Sequence, residues 1–152
     1  MKKLIIFIFG IAVFTGANAA YRVYEPADLY PCDGEEYKHL SCTKVGSVVD
    51  GVVQEHFESG QLKTETPYRG GQKHGLAREY YENVIPNGQI GRIKRETNYE
   101  YGATKIIKEY YNTGSIRLII NHDTGKLQEY KENGELRIDR ETNKDKTDDQ
   151  SR

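Results

Sequence analysis

Glu109-Tyr110-Tyr111-Asn112-Thr113-Gly114-Ser115-Ile116-Arg117 is the stretch from which the architecture can be read. Two adjacent tyrosines suit a pleated strand, Asn-Thr-Gly is turn composition, and Ile116-Arg117 resumes a β-rich run. Glycine is wanted at the turn because primed hairpin turns need positive φ, which a residue with a Cβ adopts only at a steric cost. The stretch reads as a β-hairpin.

The same pattern recurs. Glu55-His56-Phe57-Glu58-Ser59-Gly60-Gln61-Leu62-Lys63 precedes it, and Glu129-Tyr130-Lys131-Glu132-Asn133-Gly134-Glu135-Leu136-Arg137 follows. A further copy, Glu79-Tyr80-Tyr81 with Asn87-Gly88-Gln89-Ile90, fits when four residues near Val84-Ile85-Pro86-Asn87 are an insertion at its turn. The turn glycines then fall at Gly60, Gly88, Gly114 and Gly134, spaced by 24, 26 and 20 once the insertion is removed. Self-similarity of this kind implies units that stack and bury surface against their neighbours.

With two-residue turns, Phe57 pairs with Leu62, Tyr81 with Ile90 and Tyr111 with Ile116. Strand side chains alternate between faces, so a fixed register turns the repeat into columns. One face then carries Glu55, Glu79, Glu109 and Glu129, with Val53, Ala77, Ile107 and Leu127 two residues further on. The other carries His56, Tyr80, Tyr110 and Tyr130, with Lys63, Arg117 and Arg137 across from three of them.

The units Tyr110-Tyr111-Asn112-Thr113-Gly114-Ser115-Ile116 and Phe57-Glu58-Ser59-Gly60-Gln61-Leu62 resemble the MORN-repeat variant of bacterial proteins, many of them labelled antitoxins. The link Tyr68-Arg69-Gly70-Gly71-Gln72-Lys73-His74-Gly75 resembles that family's connection between units. The likeness spans Gly51 to Ile138. Its fourth unit departs, with Lys131 in place of the second aromatic. It implies a mainly β fold, tandem antiparallel β-hairpin repeats in an elongated, twisted sheet, and a surface that binds another macromolecule. It brings no catalytic residues with it.

The flanks differ from this core. Lys2 and Lys3, the apolar run Leu4 to Phe14 and Ala17-Asn18-Ala19 form a signal-peptide pattern over 1–19, with cleavage expected after Ala19. A transmembrane helix needs roughly 20 apolar residues, so the run is too short, and nothing later is long enough either. Residues 20–50, punctuated by Pro26, Pro31 and Gly34, read as a leader or cap over one end of the array. Residues 139–152 are almost entirely charged and polar and read as a disordered tail. The domain plan is therefore signal 1–19, leader 20–50, repeats 51–138 and tail 139–152.

Cys32 and Cys42 are an even pair in an exported chain, which reads as a disulfide closing a small loop. A metal site using Cys32, His39 and Cys42 is the rival, but its spacing is irregular. Removing Lys2 and Lys3 takes the formal charge from −1 to −3, and the clustered excess of Lys and Arg that nucleic acid requires is missing. An apolar content of 36% is too low for a thick core and suits a thin repeat sheet.

The Glu55, Glu79, Glu109 and Glu129 column could suggest acid–base chemistry, yet one residue per repeat is more simply a structural position. His39, His56, His74 and His122 lack metal-ligand spacing, and no phosphate loop or nucleophile motif occurs. No cofactor, metal or catalytic activity is expected. Twelve tyrosines and no tryptophan are different, since Tyr beside Arg is favoured at recognition surfaces. Tyr80, Tyr110, Tyr130, Arg117 and Arg137 are the candidate contact surface. The expectation is a periplasmic or secreted protein-binding module of antitoxin or immunity type whose partner is a toxin. A cell-envelope module for glycan, lipid or an envelope protein is the alternative.

Overall fold

A computed structural model describes residues 22–82 and 91–141. The signal segment, its cleavage site, the Val84–Asn87 insertion and residues 142–152 lie outside the described residues.

Among the described residues twelve strands are formed: β1 (Val23–Tyr24), β2 (Tyr30–Pro31), β3 (Ser41–Cys42), β4 (Gly51–His56), β5 (Leu62–Arg69), β6 (Gln72–Lys73), β7 (Gly75–Tyr80), β8 (Ile93–Glu100), β9 (Ala103–Tyr110), β10 (Ile116–Asn121), β11 (Lys126–Tyr130) and β12 (Leu136–Glu141). A 3-10 turn, Pro26–Asp28, follows β1. One sheet runs in the order β1-β4-β5-β7-β8-β9-β10-β11-β12, with β6 also on β5, and β2-β3 form a separate ribbon. From β4 onward every pairing is antiparallel, so the chain is a file of consecutive hairpins. The mainly β, hairpin-repeat architecture is the one the sequence pattern implies.

The hairpin turns are longer than two residues. Gly60 N–H donates to Phe57 O at 2.9 Å, and Phe57 N–H to Gln61 O at 2.9 Å; the same pair of bonds recurs at Gly114/Tyr111/Ser115 and Gly134/Lys131/Glu135. This is a three-residue loop ending on a left-handed glycine, at φ +94° for Gly114, which lets the strands resume their pairing. The expected pairs Phe57–Leu62 and Tyr111–Ile116 are therefore replaced by His56–Leu62 and Tyr110–Ile116.

A bulge follows in each of the four repeat hairpins. Glu55 pairs with Thr64, Glu79 with Arg95, Glu109 with Leu118 and Glu129 with Ile138, leaving Lys63, Lys94, Arg117 and Arg137 as extra residues. A bulge puts two residues opposite one, which swings the extra side chain toward its neighbour's face. The basic residues consequently lie beside the glutamates, not across from the tyrosines.

The second hairpin also revises the insertion. Tyr81 N–H donates to Arg92 O, eleven residues on, where Phe57 closes on Gln61 after four. Seven residues are inserted, and Tyr80 faces Ile93 instead of Tyr81 facing Ile90. Gly91, not Gly88, then stands at the repeat position, and the unit spacings become 24, 23 and 20.

The core is thin. The buried apolar side chains among the described residues are Cys32, Cys42, Val49, Val52, Val53, Ala77 and Tyr80, and Val49 alone is wholly enclosed. Five of them gather where the leader meets the first hairpin. Along the rest of the sheet, the row Val53, Thr66, Ala77, Thr97, Ile107, Ile120 and Leu127 runs from strand to strand on the glutamate face. Neighbours in such rows contribute roughly 0.2–1 kcal/mol per pair, so stability accumulates along the array and not at one centre.

Both ends are finished differently. β1 lies parallel to β4, with Val52 N–H donating to Arg22 O at 2.8 Å, and covers the start of the first edge. The Cys32–Cys42 disulfide, Cα–Cα 5.1 Å, holds the leader, which excludes the metal alternative at those residues. The leader also grips the β5–β6 turn: Ser41 N–H donates to Gly71 O and Gly71 N–H to Val49 O. At the far end, β12 continues through Asp139, Arg140 and Glu141, which the sequence places in the disordered tail. Backbone pairing with β11 orders them, and a strand's ladder needs no apolar side chains.

Candidate binding surface

The glutamate face is an ion-pair ladder. Glu55 meets Lys63 at 2.6 Å, Glu79 meets Lys94 at 2.5 Å and Arg95 at 3.4 Å, Glu109 meets Arg95 at 2.8 Å and also Arg117, and Glu129 meets Arg137 at 3.0 Å. Three of these partners stand eight residues after their glutamate. Lys94 stands fifteen after Glu79, which is eight plus the inserted seven. Burial pushes the Glu109 carboxyl up, but hydrogen bonding and charge from Arg95 and Arg117 outweigh it, and the net shift is downward. The column is thus a cross-strand charge ladder.

The opposite face holds a second network. Arg78 Nη1 lies 3.0 Å from Glu65 and its Nε 3.3 Å from Glu96. The Tyr80 hydroxyl donates to Glu65 and the Tyr110 hydroxyl to Glu96, each at 2.7 Å. Burial first, and then the carboxylate acceptor, push both phenols up to about 12. The bond to Glu65 raises the Arg78 guanidinium further. His56 occupies the same position in the first hairpin and lies 3.5 Å from Glu25 of the leader. For Tyr130 of the last hairpin, the residue standing where Glu65 and Glu96 serve Tyr80 and Tyr110 is Ile119 of β10, so Tyr130 meets no carboxylate there.

The five sequence-derived contact residues are not brought together. Arg117 and Arg137 are on the glutamate face, bonded to Glu109 and Glu129, while the tyrosines are on the other. Tyr80 is only 7% exposed. Tyr110 and Tyr130 are half-buried. What the tyrosine face presents instead is Leu76, 40% exposed, beside a shallow cavity of about 270 Å³ lined by Leu76, Glu96, Asn98, Ile106 and Lys108. The sequence offered one clue to Glu65 and Glu96: each follows the Leu62 or Ile93 of its hairpin by three residues, which becomes visible only with the seven-residue insertion.

A larger cavity, about 690 Å³, opens where the leader diverges from β4, and includes Val23, Glu25, Asp28, Gln54 and His56. No group of three or more His, Cys, Asp or Glu able to hold a metal ion occurs among the described residues. No helix among them is long and apolar enough to cross a membrane.

Residues 49–69, which contain the whole first hairpin, match the family described as MORN repeat variant. No curated protein matches the chain. Among solved structures, it is similar to one titled "Crystal structure of GtfA/B complex bound to UDP and GlcNAc", at 22% identity and a TM-score of 0.37. That alignment covers 74% of this chain and 24% of the other, so the chain spans about a quarter of the protein it matches.

Proposed function

We propose that this chain is an exported repeat module that acts by binding another protein, of antitoxin or immunity type, and that the tyrosine-bearing face of the sheet is its contact surface. One observation carries the reading. On that face Arg78, Tyr80 and Tyr110 are fixed by bonds to Glu65 and Glu96, and Glu96 also lines the shallow cavity beside the exposed Leu76. An apolar centre with a pinned polar surround gives a partner a surface that loses little freedom on binding.

The MORN-like first hairpin supports a repeat that binds. The disulfide is compatible with an oxidising compartment and supports export to the periplasm or beyond. The test is a pull-down from periplasmic extract with the mature protein. A stoichiometric protein partner that is lost on Leu76→Asp and inhibited by the wild type supports the reading. Retention on peptidoglycan or lipid without a protein partner overturns it in favour of an envelope-binding module.

A further inference from the structure

The cavity between leader and sheet belongs to neither hydrogen-bonded network. It lies where β1 and the Pro26–Asp28 turn leave β4, with a volume of about 690 Å³. Its walls carry two carboxylates, Glu25 and Asp28, and among the described residues neither Lys nor Arg lines it. Glu25 contacts His56 at 3.5 Å and its side chain accepts the Asp28 backbone N–H, while Asp28 Oδ2 accepts the Glu25 backbone N–H, so each carboxylate keeps further acceptor capacity. Val23, 56% exposed, offers an aliphatic wall, and the Tyr24 ring is tethered through its hydroxyl to Asp50 O at 3.4 Å.

We propose that this cavity binds a primary ammonium carried on an unbranched aliphatic stem. An ammonium has three donors and no acceptor, and the lining of the cavity includes the acceptor-bearing side chains Glu25, Asp28 and Gln54. An aromatic wall favours a cation over a neutral guest, and an apolar wall takes up the methylene stem. A metal ion is a poorer match, because the described residues hold no cluster of three ligands. Lysine side chains and free diamines share this chemistry. The site stands independently of the tyrosine-face reading.

The experiment titrates the mature, oxidised protein with hexylamine and with 1-hexanol, which has the same stem and no charge. Hexylamine is expected to saturate one site while hexanol does not, and Glu25→Gln and Asp28→Asn are each expected to weaken it about tenfold. Equal binding of the two probes, no saturation, or unaltered affinity in both variants overturns the proposal. If a variant does not fold, the contrast between the probes on wild type decides. Tighter binding of Nα-acetyl-lysine methylamide than of 1,5-diaminopentane assigns the site to a protein lysine, and the reverse order assigns it to a free diamine. Leu76→Asp should leave hexylamine affinity unchanged, which separates this site from the sheet face.

Discussion

The Tyr81 hydroxyl donates to the backbone carbonyl of Tyr110 at 2.8 Å, one hairpin further along the array. Tyr111 repeats the bond to Tyr130 O at 2.9 Å. The second aromatic of the second and third units is therefore a staple to the unit that follows. This accounts for Lys131 at that position in the last hairpin: with no successor among the described residues, it bonds to Glu135 instead.

Tyr111→Phe should cost about 1 kcal/mol, since a lone hydrogen bond contributes on that order. Urea unfolding measures it, and amide exchange should speed up first in β11 and β12. Phe57 is the one staple position before Lys131 without a hydroxyl, so Phe57→Tyr should leave stability unchanged or raise it.

Two glycines separate conformational strain from collision. A Cβ at Gly114 meets nothing within 4 Å, so Gly114→Ala loses only the left-handed backbone preference, roughly 1 kcal/mol. At Gly71, also left-handed at φ +76°, a Cβ falls 2.9 Å from Ser41 O and 3.0 Å from Leu40 Cβ. Gly71→Ala should cost more and free the leader from the β5–β6 turn. Thermal melts that rank the two variants equally would contradict this.

Reducing Cys32–Cys42 should lower stability by about 2–3 kcal/mol on the chain-entropy scale for a loop this small. The loss should be confined to the leader and β4. Exchange protection in β9 to β11 is expected to persist in dithiothreitol.

Alkaline titration tests the tyrosine face. Tyr80 and Tyr110 are raised to about 12, above the unfolded phenol value of about 10. Their contribution is complete below about pH 10 and is lost as pH rises through about 12. Absorbance at 295 nm should show two late phenolates, absent in Tyr80→Phe/Tyr110→Phe. The more drastic Tyr80→Ala opens a cavity in a buried position and should unfold the second hairpin before it affects binding.

Glu109 predicts the acid limb. Its carboxyl is lowered in the fold, so its contribution is present above the unfolded value of about 4.3 and is lost as pH falls through the folded one. Glu109→Gln should flatten the acid side of the stability profile, read by denaturation at pH 3 to 7.

The glutamate column and the row beginning Val53–Ala77–Ile107 were legible because period-two alternation is written directly in the residues. The hairpins were legible because Gly60, Gly114 and Gly134 mark their turns. The bulges were not: whether Lys63 sides with Glu55 or His56 depends on a one-residue shift in pairing that no residue type announces. The parallel seat of β1 on β4 was equally hidden, since it joins Val23 to Val52 across an irregular leader. The contact surface suffered most. Assigning Arg117 and Arg137 to the tyrosine side followed from a two-residue turn, and the longer loop with its bulge moves both to the opposite face.

The unequal ends give the array a direction of growth. The edge of β4 is partly sealed by the chain's own β1, held by a disulfide-anchored leader, so a hairpin gained there would have to displace a covalently tethered neighbour. β12, the last described strand, carries Arg137, Asp139 and Arg140 along a bulged strand, which resists casual pairing with a stranger yet leaves the ladder extendable by the chain itself. Lengthening by duplication should therefore proceed behind β12, and the enabling change would be Lys131→Tyr, which restores the staple for the unit to come.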